Sequence, residues 1–144
     1  MENKNTKDKK KVLVVEDDLP VLRALVDKLT REGFDVLEAK DGKEGLRVAI
    51  LSRPDIILLD ILMPVMDGPT MMKKLRKESP WGKQVPIILL TNLSTAPKIE
   101  TIKIVIEAEP SYYLVKSNWS MAYVVEKVRE ILDRNKKIKK PVSK

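Results

Sequence analysis

Five short apolar runs rich in Val, Ile and Leu most constrain the fold of this 144-residue chain. The runs are Val12–Val15, Phe34–Ala39, Ile56–Leu59, Val85–Leu90 and Tyr112–Val115. Most are continuously apolar rather than alternating, which is typical of strands buried on both faces of a parallel sheet. They are too short to span a membrane, and no apolar leader segment precedes the first run. We therefore expect five buried strands in a soluble, cytoplasmic protein.

Apolar residues between these runs recur with helical spacing. The first such segment places Leu22, Leu25 and Leu29 on one face and ends before Gly33, a residue suited to the position after a helix. Further helices are expected from about Asp41, after Asp67-Gly68, over about 94–108 and over about 118–135. Because crossovers between parallel strands are right-handed, this alternation predicts an α/β fold. It is a five-stranded parallel sheet, doubly wound by helices in the flavodoxin-like manner.

Charge divides the chain into a body and two tails. The net charge is +7, but residues 1–11 carry +3 and residues 134–144 carry +6, which leaves −2 for residues 12–133. We therefore expect one domain over 11–133 between disordered basic tails at 1–10 and 134–144. The mildly acidic body does not indicate nucleic-acid binding by the domain itself. For the tails, a solubilising role and weak electrostatic attachment to nucleic acid or an anionic membrane both stay open.

The chain contains neither cysteine nor histidine. This composition excludes disulfides, thiolate metal sites and catalysis by a cysteine or a histidine of the chain itself. Any chemistry must therefore use carboxylates, hydroxyls, lysines and a bound ion, which removes most classes of enzyme.

Side chains with compatible chemistry follow four of the five predicted strands. These are Glu16-Asp17-Asp18 after the first, Asp60 after the third, Thr91 after the fourth and Lys116 after the fifth. The carboxyl ends of parallel strands meet at one edge of a sheet, so these groups should converge. Close carboxylates repel unless a cation neutralises them, and Mg²⁺ binds such oxygens. With hydroxyl and ammonium donors added, the set predicts an aspartate that carries a phosphoryl group.

Each of these residues also has a structural explanation when it is taken alone. Asp18 precedes Leu19-Pro20 and is suited to capping a helix, and acids before turns are common. Four strand ends with matching chemistry on one edge nevertheless favour a shared site.

The motifs at these strand ends resemble those of receiver domains of two-component response regulators. They are VLVVEDD at 12–18, LLDILMP at 58–64 followed by Asp67-Gly68, LLT at 89–91 and YLVK at 113–116. The resemblance covers about residues 11–133, which is the whole chain apart from the tails.

The resemblance assigns a role to each residue of the predicted site. It implies that Asp60 is the phosphoacceptor and that Mg²⁺ or Mn²⁺ binds Asp60, Asp17, the Leu62 carbonyl and, through water, Glu16. It further implies that Thr91 and Lys116 contact the phosphoryl group and that Tyr113 reports the switch.

The resemblance also implies partners and an output. A histidine kinase or phosphotransfer protein would phosphorylate Asp60, and the chain would catalyse only its own phosphorylation and dephosphorylation. The signal would pass through the face formed by the predicted fourth helix, fifth strand and fifth helix, to a protein partner or a second copy.

Because few residues follow 135, we expect a stand-alone receiver. The receiver part of a longer DNA-binding regulator stays open. An aspartate-dependent phosphatase is disfavoured, because Leu62 stands where such enzymes generally have a second acid.

Several positions depart from the family pattern. Ser117 replaces the usual proline after the lysine, Asn92 replaces a small residue, and Glu109-Pro110 replaces Gly-Ala. Neither Leu62 nor Leu93 can orient a water molecule, so we predict a long-lived phosphoryl group. Ile104 is expected on the outer face of the fourth helix, near Tyr112 and Trp119, where a partner or dimer contact stays open.

Overall fold

A five-stranded parallel sheet lies at the centre of the protein. The computed structural model describes residues 9–91, 112–115 and 120–139, with side chains over 9–90 and 120–134. The strands are β1 (Lys11–Val15), β2 (Asp35–Ala39), β3 (Ile56–Asp60), β4 (Ile87–Thr91) and β5 (Tyr112–Val115). Their spatial order is β2-β1-β3-β4-β5, and all neighbours are parallel. The predicted sheet is confirmed, with strand bounds within two residues of those expected.

Helices cover both faces of the sheet. They are α1 (Leu19–Arg31), α2 (Gly42–Ser52), α3 (Gly68–Glu78), the short α4 (Pro80–Gln84) and α5 (Met121–Lys139). An aspartate caps each of the first three helices, because the side chains of Asp18, Asp41 and Asp67 accept an N–H from the first turn. Gly33 follows α1 with φ +98°, as predicted for the residue after that helix.

Alternate residues of the strands pack into two separate hydrophobic cores, one on each face of the sheet. On one face, Val12, Val14, Ile56 and Leu58 pack with apolar residues of α1 and α5. On the other face, the intervening strand residues pack against apolar residues of α2 and α3. Side chains of a strand point alternately to opposite faces, so continuous apolar strands are what a doubly covered sheet requires.

Two helical segments differ from the sequence predictions. Helix α4 was not predicted, because five residues hold no full apolar period; its signal is Ser79 followed by Pro80, a helix-starting pair. Helix α5 continues through Lys139, beyond the helix end predicted near residue 135 and into the segment 134–144 that was predicted as a tail. No proline or glycine interrupts that segment before Pro141, and lysines are favourable in a last helical turn.

The parallel strands give the sheet two distinct ends. We call the end where the strands stop the carboxyl edge and the opposite end the amino edge. Helices α1, α2 and α3 all begin at the carboxyl edge, directly after the loops that follow β1, β2 and β3. Several predictions lie outside the described residues, namely those on the fourth helix at 94–108, on Ile104, on Lys116 and Ser117, and on the tail at 1–8.

Candidate functional site

Neighbouring strands bring two buried acids together at the carboxyl edge. Strand β1 pairs with β3 so that Val15 lies beside Leu59. The next residue of each chain segment is an acid, Glu16 after β1 and Asp60 at the end of β3. Glu16 is fully buried and Asp60 is 5% exposed, although every other buried side chain of the two strands is apolar.

Asp17 completes a cluster of three carboxylates. One oxygen each from Glu16, Asp17 and Asp60 lies within 4.8 Å of the other two. Asp17 is exposed, whereas the other two acids are buried. The cluster therefore opens to solvent on the Asp17 side, where an ion or a phosphoryl donor can approach.

The turn after β1 separates the three consecutive acids into two roles. The Glu16 backbone N–H donates to the Ala39 carbonyl over 3.0 Å, which extends the pairing of β1 with β2 by one residue. The Glu16 carboxylate accepts the Asp18 N–H over 3.1 Å. The Asp18 side chain turns to α1 and accepts the Val21 N–H over 3.3 Å. Asp18 therefore caps a helix, the structural alternative considered for it, and leaves Glu16 and Asp17 at the site.

The loop from β3 to α3 forms the other wall of the site. Within it, Val65 has φ +70°, and the Met66 N–H donates to the Pro64 carbonyl over 2.7 Å. This is a γ-turn of the rare, strained type with positive φ at its centre. A β-branched residue in that left-handed region costs about 1–3 kcal/mol.

Two glycines fix this loop against the rest of the protein. Gly42, at the start of α2, donates its N–H to the Met66 carbonyl over 3.0 Å. Gly68 donates to the Ile61 carbonyl over 2.9 Å, and a Cβ at Gly68 would collide with the Asp60 carbonyl. The loop backbone is thus held on both sides, which keeps Val65 in its strained conformation. The Asp67-Gly68 pair indicates the turn, but no pattern in the sequence indicates the left-handed valine.

The remaining predicted site residues are located only by their backbone or lie outside the described residues. Thr91 ends β4 and pairs with Val115 at the end of β5, so the strand bearing Thr91 stops at the carboxyl edge. Tyr113 pairs with Leu89 inside the sheet. Lys116 follows β5 but lies outside the described residues. The roles predicted for these three residues stay predictions.

The donor set of the acidic cluster fits a divalent cation. Its ligand atoms are carboxylate oxygens, which Mg²⁺ and Mn²⁺ prefer over softer donors. Three carboxylates this close repel one another, so a cation between them removes an unfavourable interaction. Glu16, Asp17 and Asp60 form the only such group of acids within the described part of the chain.

Similarity to known proteins agrees with this architecture. The sequence profile of the response regulator receiver domain matches residues 12–129. The transcriptional regulatory protein PrrA of Mycobacterium tuberculosis is 40% identical over 124 residues, which are 86% of this chain and 50% of PrrA. The probable transcriptional regulator ycf27 of Cyanophora paradoxa is 42% identical over 86 residues, 60% of this chain and 34% of that protein. The chain thus spans about a third to a half of the length of these curated relatives.

A solved structure gives the same result for the fold. The crystal structure of a CheY-like response regulator receiver domain protein from Methanospirillum hungatei superposes with a TM-score of 0.79 at 27% identity. The match covers 90% of this chain and 98% of that one. Within the described ranges, no helix combines the length and hydrophobicity needed to cross a membrane. With the profile match over most of its length and the acids at its carboxyl edge, the chain belongs to the family of response regulator receiver domains.

Proposed function

We propose that Asp60 is the residue that accepts a phosphoryl group in this receiver domain. The observation that carries the proposal is the position of Asp60, a nearly buried carboxylate that ends a central strand within 4.8 Å of two further acids. A carboxylate held at the end of a strand, beside groups that bind a cation, is well placed to act as a nucleophile toward a phosphoryl group. Receiver domains are signalling domains, and we propose no activity beyond phosphorylation and dephosphorylation of the chain itself.

The donor is proposed to be a phosphohistidine on a histidine kinase or a phosphotransfer protein, because this chain has no histidine of its own. An Asp60 oxygen attacks the phosphorus atom, the P–N bond breaks, and its electron pair returns to the imidazole of the donor. Glu16, Asp17, Asp60 and the Leu62 carbonyl would hold Mg²⁺ or Mn²⁺, which when bound neutralises charge on the transferring group. Lys116 is proposed to pair with a phosphoryl oxygen.

The proposed output is a change of surface that begins at Thr91. Its hydroxyl is proposed to move toward the phosphoryl oxygens, and Tyr113 to turn into the space that Thr91 leaves. The surface of the predicted fourth helix, β5 and α5 would change with it, and a protein partner or a second copy would bind there. A cytoplasmic location likewise stays a prediction.

A long lifetime is proposed for the phosphorylated state. Leu62 follows Asp60 by two residues and is 51% exposed, and Leu93 follows Thr91 by two residues; the resemblance to receiver domains implies that residues at these two positions tune dephosphorylation. A leucine neither donates nor accepts a hydrogen bond. Rapid hydrolysis in the presence of Mg²⁺, measured by the decay of the phosphorylated mass, would contradict this proposal.

The names of the curated relatives support a second candidate for the output. PrrA and ycf27 are described as transcriptional regulators, and the chain matches half of the first and a third of the second. In this alternative, the receiver controls a DNA-binding domain on the same polypeptide. Sequencing the coding region beyond Lys144 separates the two candidates, because only the second requires a further folded domain.

The test of the acceptor uses a small phosphodonor. The purified chain is incubated with phosphoramidate and Mg²⁺, and its intact mass is measured for wild type, Asp60→Asn and Asp55→Asn. Asp55 is the matched control, an aspartate at the amino edge that accepts the Lys11 N–H over 2.8 Å. We expect one added phosphoryl group on wild type and Asp55→Asn and none on Asp60→Asn. Modification of Asp60→Asn, or none of wild type, would refute Asp60 as the acceptor.

A further inference from the structure

The outer surface of helices α2 and α3 carries charge of almost one sign. Within residues 42–79, all of which the structure describes, Glu78 is the only exposed acid. The other acids of this segment are partly or fully buried, and Glu44 and Asp67 accept backbone N–H groups at the starts of the two helices. The exposed basic residues of the segment, which we call the basic face, are Lys43, Arg47, Arg53, Lys73, Lys74 and Lys77.

The helices on the opposite face of the sheet use their charges differently. On α1, Arg31 forms an ion pair over 2.8 Å with Asp27, which lies one helical turn earlier. The same spacing on the basic face joins residues of like charge, which repel one another. These pairs are Lys43–Arg47, Lys73–Lys77 and Lys74–Lys77. No residue of the basic face forms an ion pair with any residue that the structure describes.

The helix dipole accounts for only part of this arrangement. A positive charge near the end of a helix is favourable, and Lys77 lies in the last turn of α3. Lys43, in contrast, lies in the first turn of α2, where a positive charge is unfavourable. Arg47 and Lys73 lie in the middle of their helices, where the dipole has little effect. An anionic partner would remove the repulsion that the helices themselves do not offset.

The basic face is one continuous surface that includes an exposed leucine. Helices α2 and α3 pack on the same hydrophobic core. The guanidinium carbon of Arg53 lies 5.8 Å from the centre of the Trp81 ring, which joins the end of α2 to α4. Leu51 follows Arg47 by one helical turn on the same side of α2, and its side chain is 74% exposed. The positive charges therefore surround an apolar side chain that no described residue covers.

The composition of this surface distinguishes among anionic partners. Four of the six basic residues are lysines, a residue that is depleted at protein–protein interfaces. A nucleic acid would bring its phosphates against Leu51, which offers them no hydrogen bond. A bilayer with anionic lipids accommodates both kinds of side chain. Lysines are attracted to its negative surface, and a leucine enters the boundary between headgroups and acyl chains.

We propose that the basic face binds the surface of a membrane that contains anionic lipids, with Leu51 inserted among the headgroups. The proposal goes beyond the phosphorylation of Asp60 and does not depend on it. The basic face covers the outside of two helices, whereas Asp60 lies at the carboxyl edge of the sheet. A receiver bound in this way therefore keeps its acidic cluster accessible to a phosphoryl donor.

The test is cosedimentation of the full chain with phosphatidylcholine vesicles that contain about 30% phosphatidylglycerol, at about 0.1 M salt. The face variant combines Arg47→Gln and Lys77→Gln. Its matched control combines Arg23→Gln and Arg31→Gln, which removes two exposed charges from α1 on the opposite face of the sheet. Both variants retain residues 1–11 and 134–144, so attraction between these basic segments and the vesicles is the same in all proteins compared.

Two single substitutions test the other parts of the proposal. Leu51→Gln removes the apolar contact, and Leu19→Gln is its control, because Leu19 is also exposed but lies on α1. Glu78→Gln removes the exposed acid beside the basic face. Glu78→Gln should strengthen binding, an outcome that a loss of folding cannot produce.

We expect the face variant to bind the anionic vesicles about ten- to thirty-fold more weakly than wild type, because each basic residue near such a surface adds to the attraction. We expect Leu51→Gln to weaken binding by about three- to ten-fold and Glu78→Gln to strengthen it by about two- to five-fold. Both α1 controls should stay within about two-fold of wild type, and vesicles of phosphatidylcholine alone should bind at least about ten-fold more weakly.

Each other outcome overturns the proposal. No binding of wild type to anionic vesicles, or equal binding to neutral ones, would exclude recognition of anionic lipids. Equal weakening in the face variant and its control would assign binding to net charge or to the chain ends. Unchanged binding of Leu51→Gln or of Glu78→Gln would exclude contact at this face. Binding to a duplex DNA fragment that the face variant loses, with vesicle binding unchanged, would assign the basic face to nucleic acid instead.

Discussion

At the amino edge of the sheet, charged side chains bind groups of opposite polarity, whereas at the carboxyl edge three carboxylates lie together. The Lys11 ammonium donates to the Ser52 carbonyl over 2.9 Å, and its backbone N–H donates to the Asp55 carboxylate. The Arg76 guanidinium donates to the carbonyls of Gly82 and Val85 over 3.0 and 2.6 Å. These contacts tie loops and helices together and so stabilise the fold.

The carboxyl edge contains interactions that are unfavourable for the stability of the protein. Its acids repel one another within 4.8 Å, its loop contains a strained valine, and three of its apolar side chains are exposed. The close carboxylates and the left-handed valine are unfavourable in themselves. The carboxyl edge thus combines stabilising helix caps at Asp18, Asp41 and Asp67 with a cluster of acids whose repulsion a bound cation would offset.

The largest change in the free energy of unfolding is expected at the amino edge, from Arg76→Ala. The substitution leaves the carbonyls of Gly82 and Val85 without their charged donor and releases α4 from α3. We expect a loss of about 2–4 kcal/mol in the free energy of unfolding, measured by urea denaturation. Lys77→Ala, an exposed neighbour on the same helix, is the control and should change stability by less than about 0.5 kcal/mol. An equal loss in both variants would contradict the role of the guanidinium.

The second prediction concerns Asp60→Asn at the opposite edge. Removing one of three close carboxylates should stabilise the metal-free protein, on the order of 1–3 kcal/mol. Adding Mg²⁺ should stabilise wild type more than the variant, because the ion binds the native cluster. Thermal denaturation with and without Mg²⁺ measures both effects.

The control for this prediction is Asp55→Asn at the amino edge. That substitution weakens the acceptor of the Lys11 N–H, so it should destabilise the protein by about 0.5–1 kcal/mol whether or not Mg²⁺ is present. If Asp60→Asn destabilised the metal-free protein like Asp55→Asn, the two edges would not differ in the way we infer.

Much of the fold could be predicted from the sequence because its signals are local. Continuous apolar runs indicated the five strands, and aspartates ahead of the apolar periods marked the starts of α1, α2 and α3. Helix α4 was missed because five residues hold no full apolar period, and the Arg76 guanidinium that binds the Gly82 and Val85 carbonyls comes from another helix. A sequence pattern does not record such a contact.

The residues that form the site could be predicted from the sequence, but their arrangement could not. Parallel strands bring Glu16 and Asp60 to one edge whatever the details, so their convergence follows from the order of elements. Which of the consecutive acids lies at the site and which caps a helix depends on the path of one turn. That turn buries Glu16 and directs Asp18 to cap α1. The left-handed backbone of Val65 was not predictable, because a valine gives no local signal for positive φ.

The third prediction compares the two edges at their left-handed residues. The amino edge has Gly33 at φ +98°, where a Cβ would meet no atom within 4 Å, and the carboxyl edge has Val65 at φ +70°. Val65→Gly should stabilise the protein by about 1 kcal/mol, because relief of strain exceeds the added freedom of the unfolded chain. Gly33→Val should destabilise it by about 1–2 kcal/mol, because the backbone there is left-handed although the space is open.

Urea denaturation of the two variants measures this comparison. Arg53 also has positive φ, but it is unbranched, and its N–H closes α2 by donating to the Ala49 carbonyl over 2.8 Å. It is therefore a poor control for strain at a branched residue. A loss of stability in Val65→Gly would show that the valine side chain stabilises the protein by more than its left-handed backbone costs.

The smallest effect is expected from the ion pair that joins α5 to the end of α1. The Arg129 guanidinium donates to the Glu32 carboxylate and carbonyl, each over 3.0 Å, and lies 5.0 Å from the centre of the Phe34 ring. The hydrogen bond from Arg129, followed by that from Lys28, lowers the pKa of Glu32 below its usual value. A carboxyl with a lowered folded-state pKa contributes stability above its unfolded-state pKa, and this contribution is lost as the pH falls through the folded-state pKa.

Glu32→Gln removes that pH-dependent contribution. The stability of wild type relative to the variant should therefore shrink as the pH falls from about 6 to about 3, and 0.5 M salt should reduce the difference at about pH 6. Glu78→Gln is the control, since Glu78 is exposed at the end of α3 and forms no ion pair with any residue the structure describes. A difference between wild type and Glu32→Gln that does not change with pH would mean that Arg129 holds α5 through the Glu32 carbonyl and the Phe34 ring, and that the carboxylate adds nothing.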